Sequence, residues 1–171
     1  MSMRVLETER LVLRRLSVED SEFILEILND PLWLRFIGDK GVRTLDDARE
    51  YILKNLVAMY ERLGFGLYLV ELKEKSVSIG ICGLIKRDSL EDVDIGCAFL
   101  PKFRGKGYAY ESASAVMMYG RRTFGLTRIV AITTPENYGS AKLLKKLGLS
   151  FERMIKLSDD SKSVSLFISD V

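Results

Sequence analysis

FLPKFRGKGYAYESASAVMMYG, residues 99–120, sets Lys102, Arg104 and Lys106 around Gly105 and Gly107, between an apolar run and a helical pattern. The start of a helix offers unpaired backbone N–H groups and the positive end of the helix dipole, a combination suited to phosphate. Three glycine-loop patterns compete for this stretch. A P-loop needs G-x-x-x-x-G-K-[ST], because a Ser or Thr hydroxyl must reach Mg²⁺. Here Gly105-Lys106 is followed by Gly107-Tyr108, and that hydroxyl is missing. A dinucleotide fingerprint needs a third glycine so that helix and strand pack closely, and Tyr110 stands in its place. What remains is R-x-x-G-x-A, formed by Arg104, Gly107 and Ala109. It opens a helix rich in small residues (Ala109, Ser112, Ala113, Ser114, Ala115) that let a pyrophosphate approach the amides.

On the N-terminal side the apolar period is that of strands. FGLYLVEL (65–72), SIGICGLIKR (78–87) and DVDIGCAFL (92–100) are joined by the polar turns KEKS and DSLED, which predicts an antiparallel meander. Further upstream, RLVLRRL (10–16) alternates apolar and basic residues as a strand does. Ser17 with Asp20 starts a capped helix over about 18–28 that NDP stops at Pro31, and Thr44 opens a second helix running to about Arg62. On the C-terminal side, 105–124 is helical, TRIVAITT (127–134) is a strand, and ENYGSAKLLKKLG (136–148) is a helix ended by Gly148. FERMIKL and SVSLFIS are two closing strands around SDDSK. The order β-α-α-β-β-β-α-β-α-β-β predicts a mixed α/β fold of about seven strands. A chain of 171 residues without repeat or linker is expected to form one domain, 1–171.

Composition removes several chemistries. There is no histidine, so His-based triads and imidazole acid–base catalysis are excluded, and no metal is expected. A general base must be a carboxylate, lysine, tyrosine, thiol or relayed water. Cys82 and Cys97 lie in strand-like runs outside any metal-spaced or C-x-x-C motif and read as buried thiols. Net charge is only +2, with −4 over residues 1–100 and +6 over 101–171, so the second part suits an anionic ligand. Its aromatics form no stacking platform with flanking basic residues, which argues against nucleic acid. No apolar run approaches a membrane span, and the start lacks the apolar core of a signal peptide, so no membrane partner and a cytoplasmic location are expected.

Three blocks, ETERLVLRRLSVEDSEFI, IGCAFLPKFRGKGYAYESASAVMMYGR and LTRIVAITTPENYGSAKLLKKLGLSFE, together resemble the GNAT superfamily of acetyl-CoA-dependent N-acetyltransferases. They look most like the branch of ribosomal-protein N-terminal (alanine) acetyltransferases, and the resemblance covers essentially the whole chain. It implies a mixed, mostly antiparallel central sheet with helices on both faces. It implies acetyl-CoA as co-substrate, its pyrophosphate held by backbone N–H groups of Arg104, Gly105, Lys106, Gly107, Tyr108 and Ala109. In the family the strand before this loop splays from its neighbour and the pantetheine arm pairs with its backbone, which places Cys97, Ala98, Phe99 and Leu100 along the arm. A backbone N–H of this stretch would face the thioester carbonyl. Asn137 matches the asparagine that hydrogen-bonds the arm. Homodimers are frequent in the branch.

Acetyl transfer needs a base beside the amine and an acid beside the sulfur. For the acid the resemblance points to Ser140, with Tyr138 in reserve. The tyrosine that many members carry seven residues after the asparagine is Leu144 here. Helix capping is the structural role open to Asn137 and Ser140. For the base the candidate is Asp94, where related sequences commonly carry an acidic residue. It shares a strand face with Asp92, Gly96 and Ala98. Glu111 is expected to face away or to cap structure, and Cys97, with no histidine to activate it, is not expected to carry the acyl group. Trp33, Phe36 and Tyr68 are candidate walls of the acceptor pocket, with core packing as the alternative for each. The acceptor is a protein N-terminus or a small amine. A non-catalytic coenzyme A-binding module is the alternative function.

Overall fold

The computed structural model describes residues 3–170. Eight strands form one sheet in the order β1-β2-β3-β4-β5-β6-β8-β7. They are β1 (Arg4–Glu7), β2 (Leu11–Arg15), β3 (Leu67–Leu72), β4 (Val77–Ile85), β5 (Val93–Phe99), β6 (Arg128–Thr133), β7 (Ser150–Ile155) and β8 (Val164–Asp170). Every neighbouring pair is antiparallel except β5 and β6. The expected meander is therefore present, and the eighth strand is β1, a short edge strand that the sequence reading did not separate from the N-terminal segment.

The helices divide between the two faces. Helix α1 (Ser21–Leu28), α2 (Pro31–Phe36) and the rod formed by α3 (Leu45–Tyr51), a π turn (Ile52–Val57) and α4 (Ala58–Leu63) cover one face. Their apolar core gathers Ile24, Ile27, Trp33, Ala48, Ile52 and Leu56 against Leu69 and Ile81. Helices α5 (Tyr108–Phe124) and α6 (Tyr138–Lys146) cover the other, where Ala113, Val116, Met117 and Leu144 pack on Val70, Cys82, Leu84 and Ile129. A bulge opposite Val70 and Glu71 lets Ile79 and Ile81 serve opposite faces, although they are two residues apart.

Local chemistry explains the helix starts. Ser17 and Asp20 form the expected capping box, but the turn they begin is a 3₁₀ turn (Val18–Asp20), and the α-helix proper starts at Ser21. Thr44 and Asp47 form a second box at α3. The segment after Pro31, read from sequence as a connection, is helical. Asp30 caps it by accepting from Leu32 N at 3.1 Å, and Pro31 sits in the first helical turn, where its missing N–H costs nothing. Pro31 thus ends one helix by beginning another. Among the described residues no helix is long and apolar enough to cross a membrane.

The feature that positions the site is a failure of pairing. β5 and β6 are in register only at Val93↔Ile129 and Asp94↔Val130. β5 continues beside β4 to Gly80↔Phe99, and β6 continues beside β8 to Thr133↔Ser165. Residues 95–99 of β5 and 131–133 of β6 therefore diverge and open a gap in mid-sheet.

Candidate active site

A cavity of about 320 Å³ runs through this gap from one helical layer to the other. On the α2–α3 side it is lined by Trp33, Phe36, Tyr51 and Asn55, and on the α6 side by Asn137, Ser140 and Leu144. Asp94, Gly96 and Cys97 of β5 and Thr133 of β6 form its waist.

Asp94 is 1% exposed. Its Oδ2 lies 3.3 Å from Arg87 Nε, while its Oδ1 has no hydrogen-bond partner. Burial pushes its pKa up to about 6, against the pull of the Arg87 charge. Register explains the pair: Ile85 sits opposite Asp94, so Arg87, two residues on, reaches back across the β4–β5 turn.

At the other wall Asn137 caps α6, its Oδ1 accepting from Ser140 N at 3.1 Å. The capping role is thus occupied by Asn137. Asn137 and Ser140 nevertheless both face the cavity that contains Asp94. Tyr138 is 80% exposed and lies outside this lining. Trp33 and Phe36 are walls of the cavity, whereas Tyr68 is in the core, stacked on Tyr60 with ring centroids 5.8 Å apart. Burial raises the Tyr68 pKa. That placement gives Tyr68 the packing role.

Cys97 lines the cavity and lies directly across the ladder from Cys82, both as free thiols. Burial pushes the Cys82 thiol up, so it remains protonated. Phe99 and Leu100 commit their side chains to cores on opposite faces of the sheet. Those two residues are consequently left with backbone to present to the gap.

The loop before α5 has the geometry of an anion cradle. Gly105 (φ +74°) and Gly107 (φ +86°) adopt the left-handed conformation that disfavours side chains, and nothing lies within 4 Å of a Cβ built at Gly105. Gly107 is the N-cap of α5 and supplies no side chain to its first amides. Lys102 and Lys106 are exposed beside them. Arg104 behaves differently from its neighbours: its guanidinium is held by the buried Asp30 at 2.7 Å, tying the loop to α2. From the other side Arg10 donates to Lys106 O at 3.1 Å and covers the Tyr108 ring at 4.5 Å. Glu111 accepts from Arg10 Nε, Arg10 N and Thr8 Oγ1, so it latches α5 to the β1–β2 turn.

Sequence reasoning placed the acceptor pocket on the two N-terminal helices and the PLWLRFIGDKG connection, which hold Lys40, Tyr51 and Asn55 of the cavity without singling them out, and it missed Arg87 in the cavity and Asp30 behind the loop. Only the β4–β5 register would have paired Arg87 with Asp94. Asn55 was visible as a polar residue on the inner face of an otherwise apolar helix pattern.

A parallel strand pair splayed beside a glycine-opened helix start is the arrangement expected from the acetyltransferase resemblance, and comparison with known proteins agrees on the family. The acetyltransferase (GNAT) domain family matches residues 10–150. The chain is 32% identical over 149 residues to the uncharacterized N-acetyltransferase YnaD of Bacillus subtilis, covering 87% of this chain and 84% of that one. Two solved structures share the fold at lower identity. The ribosomal L7/L12 α-N-protein acetyltransferase RimL in complex with coenzyme A has a TM-score of 0.83 at 17% identity, covering 98% of both chains. The spermidine N-acetyltransferase of Vibrio cholerae in complex with coenzyme A and spermine has 0.78 at 18%, covering 95% of this chain and 96% of that one. The chain belongs to the GNAT acetyltransferase family.

Proposed function

We propose that this protein transfers an acetyl group from acetyl-CoA to a primary amine by direct attack on the bound thioester. The observation that carries the reading is the shared cavity, where a buried carboxylate with one unpartnered oxygen and a serine hydroxyl line the same opening in the sheet. The residues fit coenzyme A. The amides from Arg104 to Ala109 would hold its pyrophosphate, and Lys102 and Lys106 would add positive charge. The backbone of Cys97, Ala98, Phe99 and Leu100, with Asn137 opposite, would hold the pantetheine arm in the gap.

Holding both reactants in one cavity supplies much of the acceleration. An acceptor that arrives as an ammonium first gives one proton to solvent, which frees the lone pair for attack. As the new N–C bond forms, the nitrogen becomes far more acidic, so a carboxylate of pKa about 6 can take its next proton, directly or through water. A β5 backbone N–H stabilises the oxyanion while it exists. The C–S bond then breaks, Ser140 gives its proton to the departing thiolate and takes one back from water, and Asp94 returns its proton to solvent.

The test is thiol release from acetyl-CoA with a panel of amines and N-terminal peptides, beside a calorimetric titration of acetyl-CoA. Asp94→Asn and Ser140→Ala are expected to lower turnover by about 10²-fold or more while leaving acetyl-CoA affinity within about twofold. Wild-type rates in both variants would overturn the assigned roles. Binding of acetyl-CoA without release to any acceptor would leave a coenzyme A-binding module.

A further inference from the structure

The acceptor end of the cavity carries an unbalanced charge. Its charged lining consists of Asp94, Arg87 and Lys40, two cations against one carboxylate, beside the neutral Tyr51 and Cys97. Arg87 spends its Nε on Asp94, and among the described residues no acceptor takes its two Nη groups. Lys40 sits in the α2–α3 loop between Gly38 (φ +122°) and Gly41 (φ +73°), both in the left-handed region. The adjacent Asp39 is turned to Arg43 and to the Gly41 amide, so the loop's only carboxylate does not neutralise Lys40. Lys40 is an exposed residue at the rim of the same cavity as Arg87, and partial desolvation there, then the Arg87 charge, lower its pKa.

A second observation concerns hydrogen bonding. Trp33 is 6% exposed, lines this cavity, and its Nε1–H is buried without an acceptor. Asp94 Oδ1 is buried without a donor in the same cavity. Unpaired buried polar groups are costly, so this pair of orphans describes what a ligand must bring. It must donate to Asp94 and accept from Trp33 Nε1, Arg87 and Lys40.

We infer that the acceptor is a primary amine bearing an anionic group, a carboxylate or a phosphate, that is read by Lys40, Arg87 and Trp33. This rests on the acetyl-transfer reading, and it names the acceptor class within it. The ammonium end is drawn to Asp94, and the anionic end is drawn to the two cations. A polyamine, of the kind bound by the structural neighbour that holds spermine, would bring further positive charge to a wall that is already positive.

The experiment compares four amines of matched length: 4-aminobutyrate, 3-aminopropyl phosphate, n-butylamine and 1,4-diaminobutane. Each is titrated calorimetrically into the protein saturated with coenzyme A, and each is assayed for thiol release from acetyl-CoA. Charge-assisted hydrogen bonds to two cations should favour the anion-bearing amines over n-butylamine by about 10-fold or more, with the diamine weakest. The first two compounds show whether carboxylate or phosphate is preferred. Lys40→Glu should reduce the ratio of anionic to neutral acceptor at least about 10-fold, and Trp33→Phe should reduce it while keeping the aromatic wall. Equal or reversed preference in binding overturns the inference. The predicted order in binding with no thiol release upholds the cavity as a site for anion-bearing amines and defeats the catalytic reading instead.

Discussion

At Asp94, burial and the Arg87 charge act in opposite directions, and burial wins, which gives a carboxyl of pKa about 6 beside an open cavity. If Asp94 is the base, kcat/KM should rise as pH passes through about 6 and the carboxyl ionises. Arg87→Met removes a charge that favours the ionised form, so this limb should move to higher pH; an unmoved limb would assign it to another group. Lys86, Tyr51 and Lys40 stay in place in that variant. The same displacement affects stability. The folded carboxyl binds its proton more tightly than the unfolded one, which titrates near 3.8. Its stabilising contribution is therefore complete below that value and is lost as pH rises through about 6. Asp94→Asn cannot suffer this loss. It should melt higher than the parent at about pH 8, by roughly 2–3 kcal/mol of unfolding free energy, and the difference should close toward about pH 4. A less stable variant at high pH, measured by urea titration, would contradict the burial penalty.

The loop before α5 works as an element because two clamps hold it, Asp30–Arg104 from the α2 side and Arg10–Glu111 from the β1–β2 turn. Asp30→Asn separates clamp from cap, because asparagine still caps α2 while the charge pair with Arg104 is gone. We expect acetyl-CoA affinity to fall about 3- to 10-fold by calorimetry with little change in melting, as for a partly buried ion pair. Unchanged affinity would mean that the loop is preformed without Arg104. Gly107→Ala should cost more, since it forces a side chain into φ +86° and puts a Cβ 3.3 Å from Arg10 Nη2. Much at this scale was legible in the sequence. Ser17 and Thr44 marked real capping boxes, because each signal lies within a few consecutive residues. Helix α2 was not, because Pro31 both closes one helical pattern and is well suited to the first turn of the next. The deciding group was Asp30, whose capping and loop-clamping roles require knowing that Arg104, far along the chain, is beside it.

Over the whole molecule the site exists because β5 and β6 part after two paired residues. Sequence periodicity predicted both strands but is silent on where they separate, since alternation describes faces and not edges. For the same reason Lys40 and Arg87 were invisible as a pair: they line one cavity from separate parts of the chain, the α2–α3 loop and the β4–β5 turn. A gap in mid-sheet leaves backbone groups of residues 95–99 and 131–133 without each other, and a ligand that bonds to them acts as a wedge-shaped extra strand. Coenzyme A should therefore slow amide hydrogen exchange in two separate places, the loop at 104–109 and the facing edges of β5 and β6. At about 100 times its dissociation constant it should also add about 2.7 kcal/mol to the unfolding free energy, because it binds only the folded chain. Protection confined to the loop would mean that the pantetheine arm does not enter the gap. The acetyl group would then not reach Asp94 and Ser140, however tightly the pyrophosphate is held.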